Sequence, residues 1–84
     1  MEKRKFRTLI KGDHKVYSNE YVVGRINGFM IAMCMDDPMG RSYGINRNRK
    51  TGDRIMTVET TEARYVRFME VVNSRYPDLC EFDV

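Results

Sequence analysis

The side chains that could take part in chemistry are concentrated in one basic segment. Residues 40–54, GRSYGINRNRKTGDR, contain four Arg and one Lys but a single Asp, which gives the segment a net charge of +4. The whole chain carries only +3 at pH 7, so the other residues sum to −1. Guanidinium and ammonium groups bind phosphates and carboxylates, and side-chain amides can read base edges. The segment therefore predicts a binding surface rather than a catalytic one.

The predicted binding residues are the cations and amides of this segment and one aromatic ring that could stack on a base. They are Tyr43, Asn46, Arg47, Asn48, Arg49, Lys50 and Arg54. A secondary contact is predicted at Met35, Met39 and Arg41, since methionine is common at protein-binding surfaces and two of these residues flank an Asp-Asp-Pro turn. Three explanations of the basic segment stay open. It contacts nucleic acid, it contacts an acidic protein surface, or it is a solvated turn whose charges prevent edge-to-edge aggregation.

Nothing else in the sequence predicts catalysis or a metal centre. His14 is the sole histidine, and no spacing brings it to Cys34 as the base of a thiol nucleophile. Asp36 and Asp37 offer oxygen donors, but Asp-Asp-Pro is typical of a turn and no third carboxylate joins them. Cys34 and Cys80 lack zinc-ligand spacing and have apolar neighbours, which favours two buried free thiols. We expect no enzyme activity, no metal and no cofactor.

The overall composition predicts one small globular domain over residues 1–84. Hydrophobic residues make up 42% of the chain and charged residues 32%, which is too apolar for disorder and ordinary for a folded domain. The longest apolar run, residues 29–35, has seven residues, far short of the roughly 20 that a membrane span needs. The N-terminal residues lack the apolar run and cleavage site of a signal peptide. We expect a cytoplasmic protein without a membrane partner.

The best-defined element is a helix near the C-terminus, at about residues 61–76. Thr60 or Thr61 can cap its first amides, and Pro77 prevents its continuation. Its apolar side chains recur every three or four residues and form one stripe, as the core face of a helix does. The stripe consists of Tyr65, Phe68, Met69, Val72 and Tyr76.

Residues 18–35 are ambiguous between a hairpin and a helix. Asn27-Gly28 lies between apolar runs, and this dipeptide is the strongest short signal for a two-residue turn. Pairing about that turn places Val22, Ile26 and Phe29 on one apolar face, which favours a hairpin. The alternative is a helix over residues 18–35, in which two interior glycines would each cost about 1 kcal/mol relative to Ala.

The remaining segments favour extended structure. A strand is predicted in KFRTLIK, with Phe6, Thr8 and Ile10 on one face, and a second hairpin is predicted at residues 50–53 between RSYGINRNR and RIMTVET. The closing LCEFDV predicts a final strand. The fold class is therefore α+β: an antiparallel β-meander of about five or six strands, one C-terminal helix packed on one face, and a short final strand.

Two resemblances bear on function. Residues 25–76 resemble the sheet-plus-helix DNA-binding domains of plant transcription factors and integrase arms. The resemblance lies in the order of elements, which is a short meander, a strand ending in TVETTEARYV and one helix. It implies a sheet that lies in the major groove of DNA. A small α+β chain without a catalytic set also resembles phage and mobile-element inhibitors such as anti-CRISPR proteins.

The leading interpretation is a small, non-catalytic inhibitor of the anti-CRISPR kind. Its basic hairpin would bind a protein partner, such as a nuclease or another nucleic-acid-processing complex, or the nucleic acid of that partner. The alternative is a stand-alone DNA- or RNA-binding domain that uses the same hairpin. The oligomeric state is left open.

Overall fold

Two helices pack on one face of a four-stranded antiparallel sheet. The structure is a computed structural model that describes residues 2–35 and 43–84. Its elements are β1 (Lys3–Ile10), α1 (Glu20–Cys34), β2 (Tyr43–Arg47), β3 (Arg54–Thr61), α2 (Glu62–Arg75) and β4 (Cys80–Phe82). The strands lie in the order β2-β3-β1-β4. The chain order β-α-β-β-α-β with this sheet is the ferredoxin-like arrangement.

The predicted α+β class is confirmed, but the predicted meander of five or six strands is wrong. The described residues form four strands, and α1 lies between β1 and β2 where a hairpin was expected. Several local predictions are confirmed. The hairpin at residues 50–53 joins β2 to β3, the C-terminal helix spans Glu62–Arg75, and a final strand closes the sheet.

The helix α1 replaces the hairpin predicted at Asn27-Gly28. Asn19 caps it, because its side-chain oxygen accepts a hydrogen bond from the Val22 amide at 3.0 Å. The buried side chains recur at helical spacing: Val22, Val23, Ile26, Met30 and Cys34. Burying one side chain of this size contributes about 1.5–3 kcal/mol, whereas the two interior glycines cost about 2 kcal/mol together. Packing of the buried face therefore outweighs the low helix propensity of the glycines.

The core lies between the sheet and the two helices. Alternate residues of β1 and β3 face it, as the period of two in a strand requires. The strand residues that are fully buried there are Phe6, Thr8, Ile10, Met56, Val58 and Thr60, and the helix α2 adds Tyr65, Phe68 and Val72. The opposite face of the sheet includes the exposed side chains of Lys5, Arg7 and Glu59, and none of the described elements covers it.

Tyr65 connects α2 to the sheet through its hydroxyl. That hydroxyl donates a hydrogen bond to the Arg7 carbonyl at 3.0 Å, lies 2.6 Å from Thr8 Oγ1, and accepts the Asp83 amide at 3.2 Å. The ring stacks on Phe6 with a centroid separation of 4.3 Å. Burial raises the pKa of the Tyr65 hydroxyl. One buried side chain therefore holds β1, α2 and the end of β4 in register.

Candidate functional site

The tip of the hairpin between β2 and β3 is held in shape by Asn48. The Asn48 amide donates to the Asp53 carbonyl at 2.8 Å and closes the loop. Its side-chain oxygen accepts the Lys50 amide at 2.9 Å and the Thr51 amide at 3.3 Å. Gly52, with φ of +80°, makes the left-handed turn that returns the chain to β3. Asn48 was predicted to contact a ligand, and in the structure its side-chain oxygen is used by the turn itself.

The segment that follows β1 also supports the tip of the hairpin. The Gly12 amide donates to Asp53 Oδ1 at 2.7 Å. The two backbones approach so closely that a Cβ added at Gly12 would lie 2.3 Å from the carbonyl carbon of Gly52 and 2.4 Å from the Thr51 carbonyl oxygen. No side chain fits in that space, so Gly12 allows the tip to pack on the chain that follows β1.

Arg54 lies at the base of the hairpin, and its side chain is only 10% exposed. Its guanidinium forms an ion pair with Glu20 at the start of α1 and donates to the Gly52 carbonyl at 3.1 Å. The sequence placed Arg54 among the exposed binding cations. The structure instead gives it an internal partner, because β3 is an inner strand and its alternate residues face the helices.

Tyr43 anchors the other end of the hairpin. Its hydroxyl donates to Asn27 Oδ1 on α1, and the side chain is half-buried. Burial raises the pKa of this hydroxyl. The ring was predicted as one that could stack on a base, and in the structure it packs against the core. Tyr43 and Arg54 therefore tie both strands of the hairpin to α1.

Three cations remain exposed on this anchored hairpin: Arg47, Arg49 and Lys50. The side chains of these three residues form no ion pair and no hydrogen bond with any described residue. Asn46 is exposed beside them, and Ile45, which is 43% exposed, adds an apolar surface. Ile45, Asn46, Arg47 and Arg49 together line a shallow groove of about 600 Å³. We call Arg47, Arg49 and Lys50 the tip cations.

The predicted secondary contact is only partly described. Met35 is half-buried, packs against the core and lines a groove between the helices that also includes Arg64 and Arg67. Met39 and Arg41 lie outside the described residues.

The structure does not bring the candidate chemical groups together. His14 Nδ1 accepts the Val16 amide at 3.2 Å and the Tyr17 amide at 3.1 Å, so the ring is part of a turn. The helix α1, with its 15 residues, begins after His14 and ends at Cys34, and it is about 20 Å long at 1.5 Å per residue. Within residues 2–35 and 43–84, no three His, Cys, Asp or Glu side chains are close enough to hold a metal ion. Asp36 and Asp37 lie outside those ranges.

Both cysteines are free thiols, as predicted, and burial makes them poor nucleophiles. Burial raises the pKa of Cys34 to about 11 and that of Cys80 to about 12. Cys34 is fully buried, whereas Cys80 is partly exposed, so the expectation that both are buried is confirmed only for the first. Because the thiolate is the reactive form, neither side chain is activated for chemistry near neutral pH.

Sequence reasoning missed the residues that position the tip, namely Gly12, Glu20 and Asn27. Each acts through a partner between 16 and 41 residues away in the chain. One local signal was present: Asn19 followed by Glu20 is typical of the start of a helix, because the first residue caps free amides and the second suits the helix dipole. That signal would have placed Glu20 at the N-terminus of α1 and argued against a hairpin.

Comparisons with known proteins yielded one structural likeness. No family model matches the sequence, and no curated protein matches it. Among solved structures, the chain is similar to a PII-like signalling protein from Thermus thermophilus, with 12% sequence identity and a TM-score of 0.59. The match covers 99% of this chain and 88% of that one. At this identity the likeness shows the fold. Neither of the described helices is long and apolar enough to cross a membrane.

The functional interpretation drawn from the sequence is wrong. The resemblance to DNA-binding domains assumed one helix beside a meander, whereas a second helix, α1, lies between β1 and β2. The fold is instead similar to that of a PII-like signalling protein over 99% of this chain. The assignment as an anti-CRISPR-like inhibitor from a phage or mobile element, and the alternative of a DNA- or RNA-binding domain, are therefore both withdrawn. The resemblance to DNA-binding domains arose because Asn27-Gly28 was interpreted as a turn, which predicted a meander with one helix.

Proposed function

We propose that this protein is a non-catalytic regulatory protein that binds an acidic surface of a partner protein through the tip cations Arg47, Arg49 and Lys50. The observation that carries this proposal is the contrast between the cations of one hairpin. Arg54 is buried and paired with Glu20, while the tip cations are exposed and have no described partner. Carboxylates are the groups on a protein surface that complement such charges.

Preorganisation supports a binding role for the tip. The loop is closed by Asn48, packed on Gly12 and tied to α1 through both of its strands. A rigid loop loses little conformational entropy when it binds, so more of the interaction free energy contributes to affinity. Arginine is also enriched among the residues that dominate protein interfaces.

The regulatory part of the proposal is supported by the structural likeness to a PII-like signalling protein. The described residues assemble no nucleophile with a base and no metal cluster. A protein of this size that works by contact needs a presented surface rather than a reactive centre, and the tip of the hairpin supplies one.

The test compares two charge-reversal variants that change the net charge equally. One carries Arg47→Glu with Arg49→Glu at the tip; the control carries Lys15→Glu with Arg67→Glu at exposed positions outside the hairpin. Each variant and the wild type are tagged and used to capture proteins from lysate of the source cells, with and without nuclease treatment. Captured proteins are quantified by mass spectrometry, and the affinity of each purified candidate is then measured.

We expect one acidic partner whose affinity falls by about tenfold or more, the equivalent of about 1.4 kcal/mol, in the tip variant and not in the control. Its affinity should also fall as salt rises, because exposed charges are screened within about 10 Å at 0.1 M salt. Equal capture by the tip variant would refute the proposal, as would capture that disappears with nuclease.

A further inference from the structure

We propose that the free edge of β2 binds an extended acidic segment of the partner as an added antiparallel strand. This inference rests on the proposed function, since it names the kind of partner segment that the tip cations meet. The strand β2 is the outermost strand on its side of the sheet and pairs only with β3 among the described elements. An outer strand leaves a row of N–H and C=O groups unpaired, and an extended peptide can pair with such a row.

The register identifies the backbone groups that face the free edge. Asn48 donates its amide to Asp53, which makes that pair a hydrogen-bonded one. Hydrogen-bonded and non-hydrogen-bonded pairs alternate along an antiparallel ladder. The backbone groups of Gly44 and Asn46 therefore point to β3, while those of Tyr43, Ile45 and Arg47 point outwards. The free edge thus offers three amides and three carbonyls at regular two-residue spacing.

The edge of β2 has one of the features that usually prevent strand addition and lacks the others. Proteins protect edges with charged side chains, with proline, with bulges or by keeping the strand very short. Arg47 is such a charge, and it opposes pairing with a cationic strand rather than with an acidic one. The five residues YGINR contain no proline, and their register with β3 is unbroken. The opposite edge strand, β4, has three residues. Of these two edges, β2 therefore offers the longer surface for pairing.

The side chains along this edge define the chemistry of the added strand. Ile45 and Arg47 project to the same side of the sheet, because residues two apart in a strand share a face, and they line one groove with Arg49. A strand added in antiparallel orientation would place an apolar residue beside Ile45 and carboxylates beside Arg47 and Arg49. Pairing with β2 of a second copy fits less well, because β2 and the loop that follows it up to Gly52 contain no acidic residue to offset those cations. The edge strand β4 of a second copy contains Glu81, but with three residues it is shorter than β2.

The test uses a synthetic peptide of matching pattern, acetyl-ETETVTV-amide, whose glutamates would lie beside Arg49 and Arg47 and whose first valine would lie beside Ile45. Two control peptides change one property each. In KTKTVTV the charges are reversed. In the second control, ETETVTV carries backbone N-methyl groups at the residues facing Arg47 and Ile45, which keeps the charge but removes two hydrogen bonds to the edge. Binding is followed by NMR titration and by amide hydrogen exchange.

We expect the peptide to slow exchange of the Ile45 and Arg47 amides by about tenfold or more, while Gly44 and Asn46 are slow with and without it. Both control peptides should bind at least about tenfold more weakly. The variant Ile45→Pro, which removes an outward amide that β3 does not use, should weaken binding similarly. If that variant does not fold, the N-methylated peptide still decides the question.

The outcomes separate this inference from the proposed function. Equal binding of the N-methylated peptide, or no protection of Ile45 and Arg47, would overturn strand addition. If strand addition were overturned but Arg47→Glu with Arg49→Glu still abolished capture of the partner, the proposed function would stand without strand addition. Sedimentation of the free protein as a dimer or a larger assembly with those two amides already protected would also overturn the inference, since another copy would then occupy the edge.

Discussion

Replacing Gly28 by Ala distinguishes the two interpretations of residues 18–35 by the sign of the stability change. In the structure Gly28 lies in the interior of α1, is exposed, and has no atom within 4 Å of the position that a Cβ would take. In a hairpin centred on Asn27-Gly28, the same residue would need a positive φ. Alanine is favourable in a helix interior and strained in that turn. Gly28→Ala should therefore raise the free energy of unfolding if residues 18–35 form a helix and lower it if they form a hairpin.

The expected magnitude follows from the surroundings of Gly28. Ala is about 0.8–1.0 kcal/mol more favourable than Gly in a helix interior. No packing penalty is subtracted, because the added methyl group meets open space. Gly24 has the same surroundings, so the double substitution should add about 2 kcal/mol. For a domain of this size, each 1 kcal/mol raises Tm by roughly 4–8 °C. A strained left-handed alanine would instead cost about 1–2 kcal/mol.

The assay is urea denaturation followed by far-UV circular dichroism. We expect Gly28→Ala to raise the denaturation midpoint with an unchanged slope, since the surface exposed on unfolding stays the same. Gly24→Ala, which lies outside the Asn-Gly dipeptide, serves as the control for helix propensity. A lower midpoint for Gly28→Ala beside a higher one for Gly24→Ala would refute the helical assignment of α1.

Three further outcomes can be checked with the same assay. Gly12→Ala should lower the free energy of unfolding by about 1–3 kcal/mol, because its Cβ overlaps the backbone of Gly52; an unchanged midpoint would show that the tip does not pack there. Tyr65→Phe should cost about 1–3 kcal/mol by leaving the buried Thr8 hydroxyl without its partner, and adding Thr8→Val should cost little more. Burial raises the pKa of the Cys34 thiol from 9.0 to about 11, so between pH 9 and pH 11 the thiol is protonated in the folded state and ionised in the unfolded state. The contribution of the thiol to the free energy of unfolding is full below pH 9 and is lost as the pH rises towards 11. Cys34→Ala should therefore weaken the dependence of the denaturation midpoint on pH in this range.

The sequence was informative where local signals and burial agreed. The helix α2 has a cap at Thr61, a proline soon after its end and an apolar stripe, and all three signals are local. The hairpin joining β2 to β3 was also predictable, because Gly52 and Asn48 supply the turn chemistry within a few residues of each other. In both cases, propensity and tertiary packing favour the same structure.

The prediction failed at α1 because local propensity and tertiary packing oppose each other there. Gly24, Gly28 and the Asn-Gly dipeptide all disfavour a helix, and the apolar residues around them also satisfy the alternation of a hairpin. Contact with the sheet and with α2 decides the outcome, since it buries Ile26 and Met30 completely. A single sequence does not reveal those contacts, because they join segments far apart in the chain.

The same limit applies to the candidate site, where charge alone did not distinguish a cation that pairs within the fold from a cation that stays exposed. Arg47 and Arg54 are directly opposite each other in the β2–β3 register, so their side chains start on the same face of the sheet. Arg54 lies on an inner strand next to the start of α1, where Glu20 neutralises it. Arg47 lies one strand further out and is exposed, and no described residue forms an ion pair with its side chain. The position of each strand in the sheet therefore decides which cation is paired within the fold and which stays exposed. Whether a cation is paired or exposed therefore depends on the order of the strands in the sheet. The meander predicted from the sequence has a different strand order, because it lacks α1 between β1 and β2.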